Sequence, residues 1–363
     1  MSAHAEAVST RTVLHHVLSH LVVPILLATG MALAYLGAFH QPEPQGVRLD
    51  VVGTGPGVAV LAQTIQDQLG DRAAVRTVPT ADEARDALAH RKISGAYVPG
   101  LPSPTMLLAG AASDTTAVTV QRMLAPVALA QGLPLRIEDV APTDDTDPTG
   151  QGIFFYLVSL TVGAYSGAIA IGAAGGRLPM RTRVLLAVAA AGAIATIATV
   201  IAGPVYGALP HSAGAVGVLA WVYASAVVLI GVGLHPFLGR WTTGTLVLLF
   251  VMLNFTSSGG VFAPELQPGF FASLHSFWIG SGLVEAGRTL EYFPGLGIGH
   301  DVLILFAWLT AGLLLVGLAA LTERRRAAVA VAPAPVPLPE ADTVRDPEDD
   351  GLESELEESV VVG

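Results

Sequence analysis

Three ionisable residues stand at helical spacing in an otherwise apolar part of the chain. Glu285, Arg288 and Glu291 follow one another at intervals of three, which places them along one face of a helix. Apolar runs lie on both sides of this segment, and a charge at membrane depth is costly unless it is paired. The spacing predicts either a functional charge cluster or a structural ion pair that pins the helix to a neighbour.

The residues before this helix break the apolar pattern with glycines and prolines. From Asn254 the chain reads NFTSSGGVFAPELQPGFF. Such a segment survives at membrane depth only where protein or a water-filled cavity covers its backbone. We therefore predict a re-entrant hairpin at 258–294. Its candidate gating residues are Ser258, Gly259, Gly260, Pro264, Glu265, Pro268, Phe270, Phe271, Glu285, Arg288 and Glu291.

The order of these motifs resembles the last third of ABC-2 type export permeases, and within them the YhgE and phage infection protein group. The motifs are an Asn that ends a span, a Ser-Gly-Gly turn, a Pro-Glu-Leu-x-Pro-x-Phe-Phe segment and a Glu-x-x-Arg-x-x-x-Tyr-Phe helix. The detailed match covers Asn254 to Pro294. The resemblance implies a homodimer, or a heterodimer with a similar permease, and a hairpin that closes the outer side of an export path.

This chain carries no nucleotide-binding motif that could power export. A Walker A loop needs a lysine after a glycine-rich turn, and the one lysine, Lys92, has no such turn before it. A separate ABC ATPase subunit would therefore supply the energy. The resemblance implies that it docks on the loop with Arg177, Arg181 and Arg183; alternatively, these arginines only hold the loop in the cytoplasm.

Two further patterns have simpler explanations than ligand binding. The run from Gly53 to Gly57 follows a predicted strand but lacks Gly-x-Gly-x-x-Gly spacing, so it predicts a tight turn into a helix, whose N-terminus could still hold an anion. His16 and His20 are four apart beside His15, without a third metal ligand nearby; interfacial histidines are the simpler interpretation. No catalytic residue, cofactor or metal is predicted.

Composition places the chain among polytopic membrane proteins. It has 363 residues, of which 52% are hydrophobic and 13% charged, and its mean hydropathy is +0.61. Most of the net charge of -11 comes from the acidic segment after Leu338, so the nearly neutral body gives no basis for nucleic-acid binding. The chain has no Cys, which excludes disulfides and thiolate sites. The excess of Arg over Lys is typical of a GC-rich bacterial genome, so we expect a multi-pass protein of the bacterial plasma membrane.

Hydropathy predicts an α-helical membrane protein with six transmembrane helices. The runs are Val17 to Phe39, Ile153 to Ala174, Val184 to Tyr206, Ala213 to Leu234, Thr242 to Ser257 and Asp301 to Leu321. The fifth run is short, and it either starts earlier, near Pro236, or tilts into the hairpin. Ala32-Leu33-Ala34 imitates a signal-peptidase site, but the length of the first run favours its retention.

Between the first two runs, the composition changes to that of a soluble α/β domain. The predicted order is β-α-β-α-β-β-α-β, and a capping box at Thr80 to Glu83 opens a helix that runs to Arg91. The predicted parts are 1–39 with the N-terminus and first helix, 40–152 as the α/β domain, 153–326 as a five-helix membrane domain, and 327–363 as a disordered Pro-rich and acidic tail.

Arginine positions predict which side each part occupies. With both termini inside, Arg11, Arg240, the loop at 177–183 and the cluster at 324–326 all fall in the cytoplasm. The α/β domain is then extracytoplasmic. The resulting prediction is an export permease for a lipid-like or amphipathic substrate. The alternative is a non-transporting envelope receptor or assembly protein, and a membrane enzyme lacks any recognisable nucleophile with its base.

Overall fold

The structure, a computed structural model, describes residues 10–331. Within them, five helical runs are long and apolar enough to cross a membrane: Val17–Phe39, Gly152–Ala174, Met180–Val205, Ala213–Ser257 and Gly299–Ala327. A length of 23 residues at about 1.5 Å each already exceeds the hydrocarbon thickness of roughly 30 Å. The predicted class, a helical membrane protein, agrees with these runs.

The first and last of these helices extend beyond their apolar runs. The helices are α1 (Thr10–Phe39), α5 (Gly152–Ala174), α6 (Met180–Val200, continued by a π-helical turn Ile201–Val205), α7 (Ala213–Leu238) and α12 (Gly299–Val331). Helix α12 continues five residues past Arg326, so the start of the predicted tail is helical. The rest of that tail, 332–363, and residues 1–9 lie outside the described residues.

The run Ala213–Ser257 folds back on itself as a helical hairpin. Its second leg comprises α8 (Thr242–Val247), a π-helical turn (Leu248–Leu253) and α9 (Asn254–Ser257). The chain reverses at Gly239, whose φ of 51° suits glycine better than any other residue. The 45 residues of the run therefore form two antiparallel legs.

Two contacts between the antiparallel legs fix their register. Leu246 packs against Gly231, where a Cβ would lie 2.9 Å from it, and the Asn254 amide donates to the Tyr223 hydroxyl at 2.9 Å. Pro236 lies inside α7, three residues before the turn. The alternative in which the fifth run starts near Pro236 is therefore wrong.

The segment between α1 and α5 forms the predicted α/β domain, and the predicted order of its elements is confirmed. The elements are β1 (Val47–Val52), α2 (Pro56–Leu69), β2 (Ala73–Val78), α3 (Ala81–Ala89), β3 (Gly95–Val98), β4 (Thr105–Leu108), α4 (Asp114–Ala130) and β5 (Arg136–Asp139). Two predicted local features also hold. Gly53 and Gly55 make a positive-φ turn into α2, and the Thr80 hydroxyl accepts from the Glu83 amide at 3.2 Å to cap α3.

The strands form one sheet in the order β2-β1-β3-β4-β5. β1 is parallel to β2 and β3, while β4 is antiparallel to β3 and parallel to β5. One of the domain's two apolar cores also contains Leu266, which is 1% exposed and belongs to the stretch after α9. Residues 10–320 belong to one compact unit, in which the α/β domain is packed against the helices.

Two short helices, α10 (Gly269–His275) and α11 (Ile279–Tyr292), follow the turns after α9. At their junction, Trp278 donates to the Leu249 carbonyl at 3.2 Å and packs on Trp308 at 5.1 Å between ring centroids. The far end of α11 lies beside the first turn of α7, and α11 is buried along most of its length. Neighbouring helices thus cover α11, whereas only Phe271 of α10 is buried.

Candidate functional site

The predicted pair on α11 is present and buried. An Arg288 guanidinium nitrogen lies 2.8 Å from a Glu285 carboxylate oxygen, one helical turn away. The side chains are 6% and 14% exposed respectively. A buried carboxylate needs such a partner because desolvation penalises its charged form.

A second arginine, Arg91, reaches the same carboxylate from the α/β domain. It donates to Glu285, donates to the Thr289 hydroxyl at 3.3 Å, and lies 5.4 Å above the Phe293 ring. Burial alone would lower the pKa of Arg91, but the Glu285 carboxylate outweighs burial and raises it. Glu285 therefore ties the α/β domain to the hairpin.

The backbone at Arg91 explains how its side chain gets there. The sequence predicts that α3 continues to Arg91, but α3 ends at Ala89 because Arg91 turns into the left-handed region with a φ of 55°. Glycine usually occupies this position after a helix, and a larger residue there is strained. The contacts of the Arg91 guanidinium with Glu285 and Thr289 compensate for this backbone strain.

The Ser-Gly-Gly turn closes around the charge cluster. Arg288 also donates to the Gly259 carbonyl at 3.2 Å, and Gly259 has a φ of 75°. A Cβ at Gly259 would lie 2.6 Å from the His275 ring, and one at Gly260 would clash with Phe154. The Ser258 hydroxyl accepts from the Gly260 amide at 3.2 Å and so holds the turn.

The next predicted residues dock this stretch onto the α/β domain. Glu265 accepts from the Ser94 hydroxyl at 2.7 Å, in a short turn that Pro264 begins. Pro268 precedes the first residue of α10. Phe271 is buried, whereas Phe270 is 62% exposed and lies outside the cluster.

Glu291 does not join the predicted trio. Six residues turn an α-helix by about 120° from its starting direction, so Glu285 and Glu291 face different neighbours. Glu291 instead accepts from the backbone amides of His211 and Ser212 at 2.9 and 3.1 Å, at the start of α7. It therefore neutralises the positive end of that helix.

The predicted docking loop presents two of its three arginines. Arg177 and Arg181 are exposed, but Arg183 is only 3% exposed and donates to the Leu178 carbonyl at 3.2 Å. Arg183 lies at the start of α6 and folds back onto the loop. Arg183 therefore does not provide surface for a partner.

A cavity of about 370 Å³ lies between the α/β domain and the hairpin. Glu285, Arg288, Arg91 and Glu265 all line it, so both sides of the charge cluster meet there. His275 also lines it, and its Nε2 lies 4.0 Å from Glu285. Four of the predicted gating residues thus line a polar chamber: Pro264, Glu265, Glu285 and Arg288.

A metal role for the N-terminal histidines has no further support. Within residues 10–331, no three His, Asp or Glu side chains are placed to hold a metal ion. The side chain of His16 lies outside the described part of the chain.

Sequence reasoning predicted the Glu285–Arg288 pair but missed Arg91, Ser94 and the cavity. Arg91 and Glu285 are 194 residues apart, and no local pattern links them. The one available signal was a basic pair, Arg91-Lys92, directly after a short amphipathic helix.

Comparison of the chain with protein-family models, with curated proteins and with solved structures found no match. The resemblance to export permeases rests on the motifs between Asn254 and Pro294 alone.

Proposed function

We propose that this chain is the membrane subunit of an ABC-2 type exporter that moves a lipid-like or amphipathic substrate outward. The observation that carries the proposal is that α11 is buried among the other helices and is joined to the α/β domain through Glu285 and Arg91. A path closed by the proposed hairpin would open only when the charge cluster rearranges. Movement of the α/β domain and of the gate would therefore be coupled.

The proposed topology has six crossings with both termini in the cytoplasm. The two legs of Ala213–Ser257 count as separate crossings because they run antiparallel. The arginine distribution then puts the α/β domain outside and makes the hairpin re-entrant from that side. The proposed location is the bacterial plasma membrane.

An apolar cleft beside α6 supports a lipid-like substrate. It has a volume of about 540 Å³ and lies between α5 and the end of α6. Phe155, Ile194 and Ile197 line its walls, while Asp147 stands at a polar end. An apolar body with one polar end matches an amphipathic molecule better than an ion.

The driving force would come from a separate ABC ATPase that contacts Arg177 and Arg181. Arg177 is exposed on the short loop before α6, and Arg181 is exposed in the first turn of α6. A second permease copy would complete the assembly. To test this, the tagged full chain is purified from its native membranes and its partners are identified. We expect an ATPase with Walker motifs in the wild-type complex, and its loss in the Arg177→Glu, Arg181→Glu double variant.

Arg240→Glu is the matched control, because Arg240 is also exposed on the proposed cytoplasmic side. This variant should retain the ATPase. Failure of the wild-type chain to recover any ATPase would refute the permease proposal and favour the receptor or assembly function.

A further inference from the structure

The cavity between the α/β domain and the hairpin has the chemistry of an anion site. Its lining includes three guanidinium groups, from Arg48, Arg91 and Arg288, against the two carboxylates of Glu265 and Glu285. With His275 neutral, this leaves an excess of one positive charge. A partly buried positive charge without a counter-charge is costly, and a bound anion would compensate it.

The three arginines differ in how far their donors are used. Arg91 and Arg288 both bind Glu285, and Arg288 also donates to a backbone carbonyl. Arg48 is exposed at the cavity edge, and the one hydrogen bond of its side chain among the described residues is a long one of 3.4 Å to the Arg91 carbonyl. Its remaining donors are available to a ligand at the mouth.

A buried hydroxyl provides an independent observation. Thr116 is 5% exposed and lines the cavity, and its hydroxyl oxygen has no hydrogen-bond partner within the described residues. An unsatisfied buried hydroxyl is destabilising. The oxygen itself is buried, so a rotation of the side chain toward the cavity would let a ligand oxygen accept its hydrogen bond and remove this cost.

We propose that this cavity binds a phosphate-bearing group, with Arg48 and Thr116 as its main contacts. A phosphate offers several acceptor oxygens to the planar donors of arginine and to hydroxyls. A phosphodiester carries one negative charge, equal to the excess of the lining. Ser113, at the N-cap of the 17-residue helix α4, adds a further polar group to the same wall.

The group can come from a soluble phosphate ester or from a lipid headgroup, and the site chemistry is the same for both. The inference does not require that the chain exports anything. The purified full-length protein is placed in maltoside micelles, which contain no phosphate, and is titrated by calorimetry with glycerophosphoglycerol, a soluble phosphodiester. In a second arm, thermal stability is compared between maltoside micelles with and without phosphatidylglycerol.

We expect wild-type protein to bind the ester, the glycerolipid, or both; which arm responds identifies the source. Arg48→Gln should weaken binding about tenfold or more, as expected for the loss of a charged hydrogen bond. Thr116→Val should weaken it several-fold without lowering the unfolding temperature, because the hydroxyl has no protein partner. Arg122→Gln is the control, since Arg122 is exposed on the same helix and does not line the cavity.

Three results would overturn the proposal. These are no response in either arm, equal binding of uncharged glycerol, or an equal loss of binding in Arg48→Gln and Arg122→Gln. Retention of full affinity in Thr116→Val would remove the buried hydroxyl from the site and leave only nonspecific attraction. Unfolding temperatures measured on every variant separate loss of binding from loss of fold.

Discussion

Replacing Glu285 by Gln should destabilise the protein more than replacing either arginine that binds it. The glutamine keeps the size of the side chain but removes the charge shared by Arg91 and Arg288. Both guanidinium groups would then repel each other in a mostly buried site. Removing one member of a buried ion pair costs about 3–5 kcal/mol.

The two arginine variants should be milder because Glu285 keeps one partner in each. Thermal unfolding can be followed by tryptophan fluorescence, since Trp278 lies at the start of α11. A loss of this size corresponds to a fall of roughly 4–7 °C in the unfolding temperature for a chain of this length. Arg288→Ala and Arg91→Gln should each lower it by less.

A double variant makes the reasoning sharper. Arg91→Gln combined with Glu285→Gln removes one of the two uncompensated cations, so it should unfold at a higher temperature than Glu285→Gln alone. Arg85→Gln is the control, because Arg85 forms an exposed ion pair with Glu138 and such pairs contribute little. Wild-type stability of Glu285→Gln, or no rescue in the double variant, would refute the shared-carboxylate arrangement.

Three further predictions test the hairpin and the topology. Gly259→Ala should cost about 1–3 kcal/mol because of its positive φ, whereas Gly269→Ala, at an open site, should not lower the unfolding temperature. Glu291→Gln should cost about 1–2 kcal/mol by weakening the contact with the start of α7, read by the same assay. An impermeant maleimide should label Gln68→Cys in whole cells but Gly176→Cys only after lysis; labelling of the latter in intact cells would overturn the proposed orientation.

The sequence predicts features that depend on neighbours along the chain. Hydrophobic periodicity suffices for the strands and helices of the α/β domain, and three-residue spacing suffices for the Glu285–Arg288 pair. The limit is already visible at Glu291, since its partner depends on which helix packs against that side of α11. The contact between Arg91 and Glu285 is even harder to predict from sequence, because it depends on a left-handed backbone conformation that an arginine does not favour.

The position of the chain reversal within Ala213–Ser257 was also difficult to predict from sequence. Hydropathy alone separates two apolar runs there, but it assigns the region around Pro236 ambiguously. The turn is set by Gly239, where the backbone adopts a positive φ. Pro236 is accommodated within the last turn of α7, so proline position was a poorer guide than glycine.

Leu266 in the core of the α/β domain has a consequence for the order of biosynthesis. The last strand of that domain ends at Asp139, and Leu266 leaves the ribosome 127 residues later. At about 5–20 residues per second, the domain waits roughly 6–25 s for its final core residue. In the proposed topology, four apolar helical segments enter the bilayer during that interval. The α/β domain would therefore complete its core only in chains whose fifth segment has been inserted, which makes its maturation a checkpoint on membrane assembly.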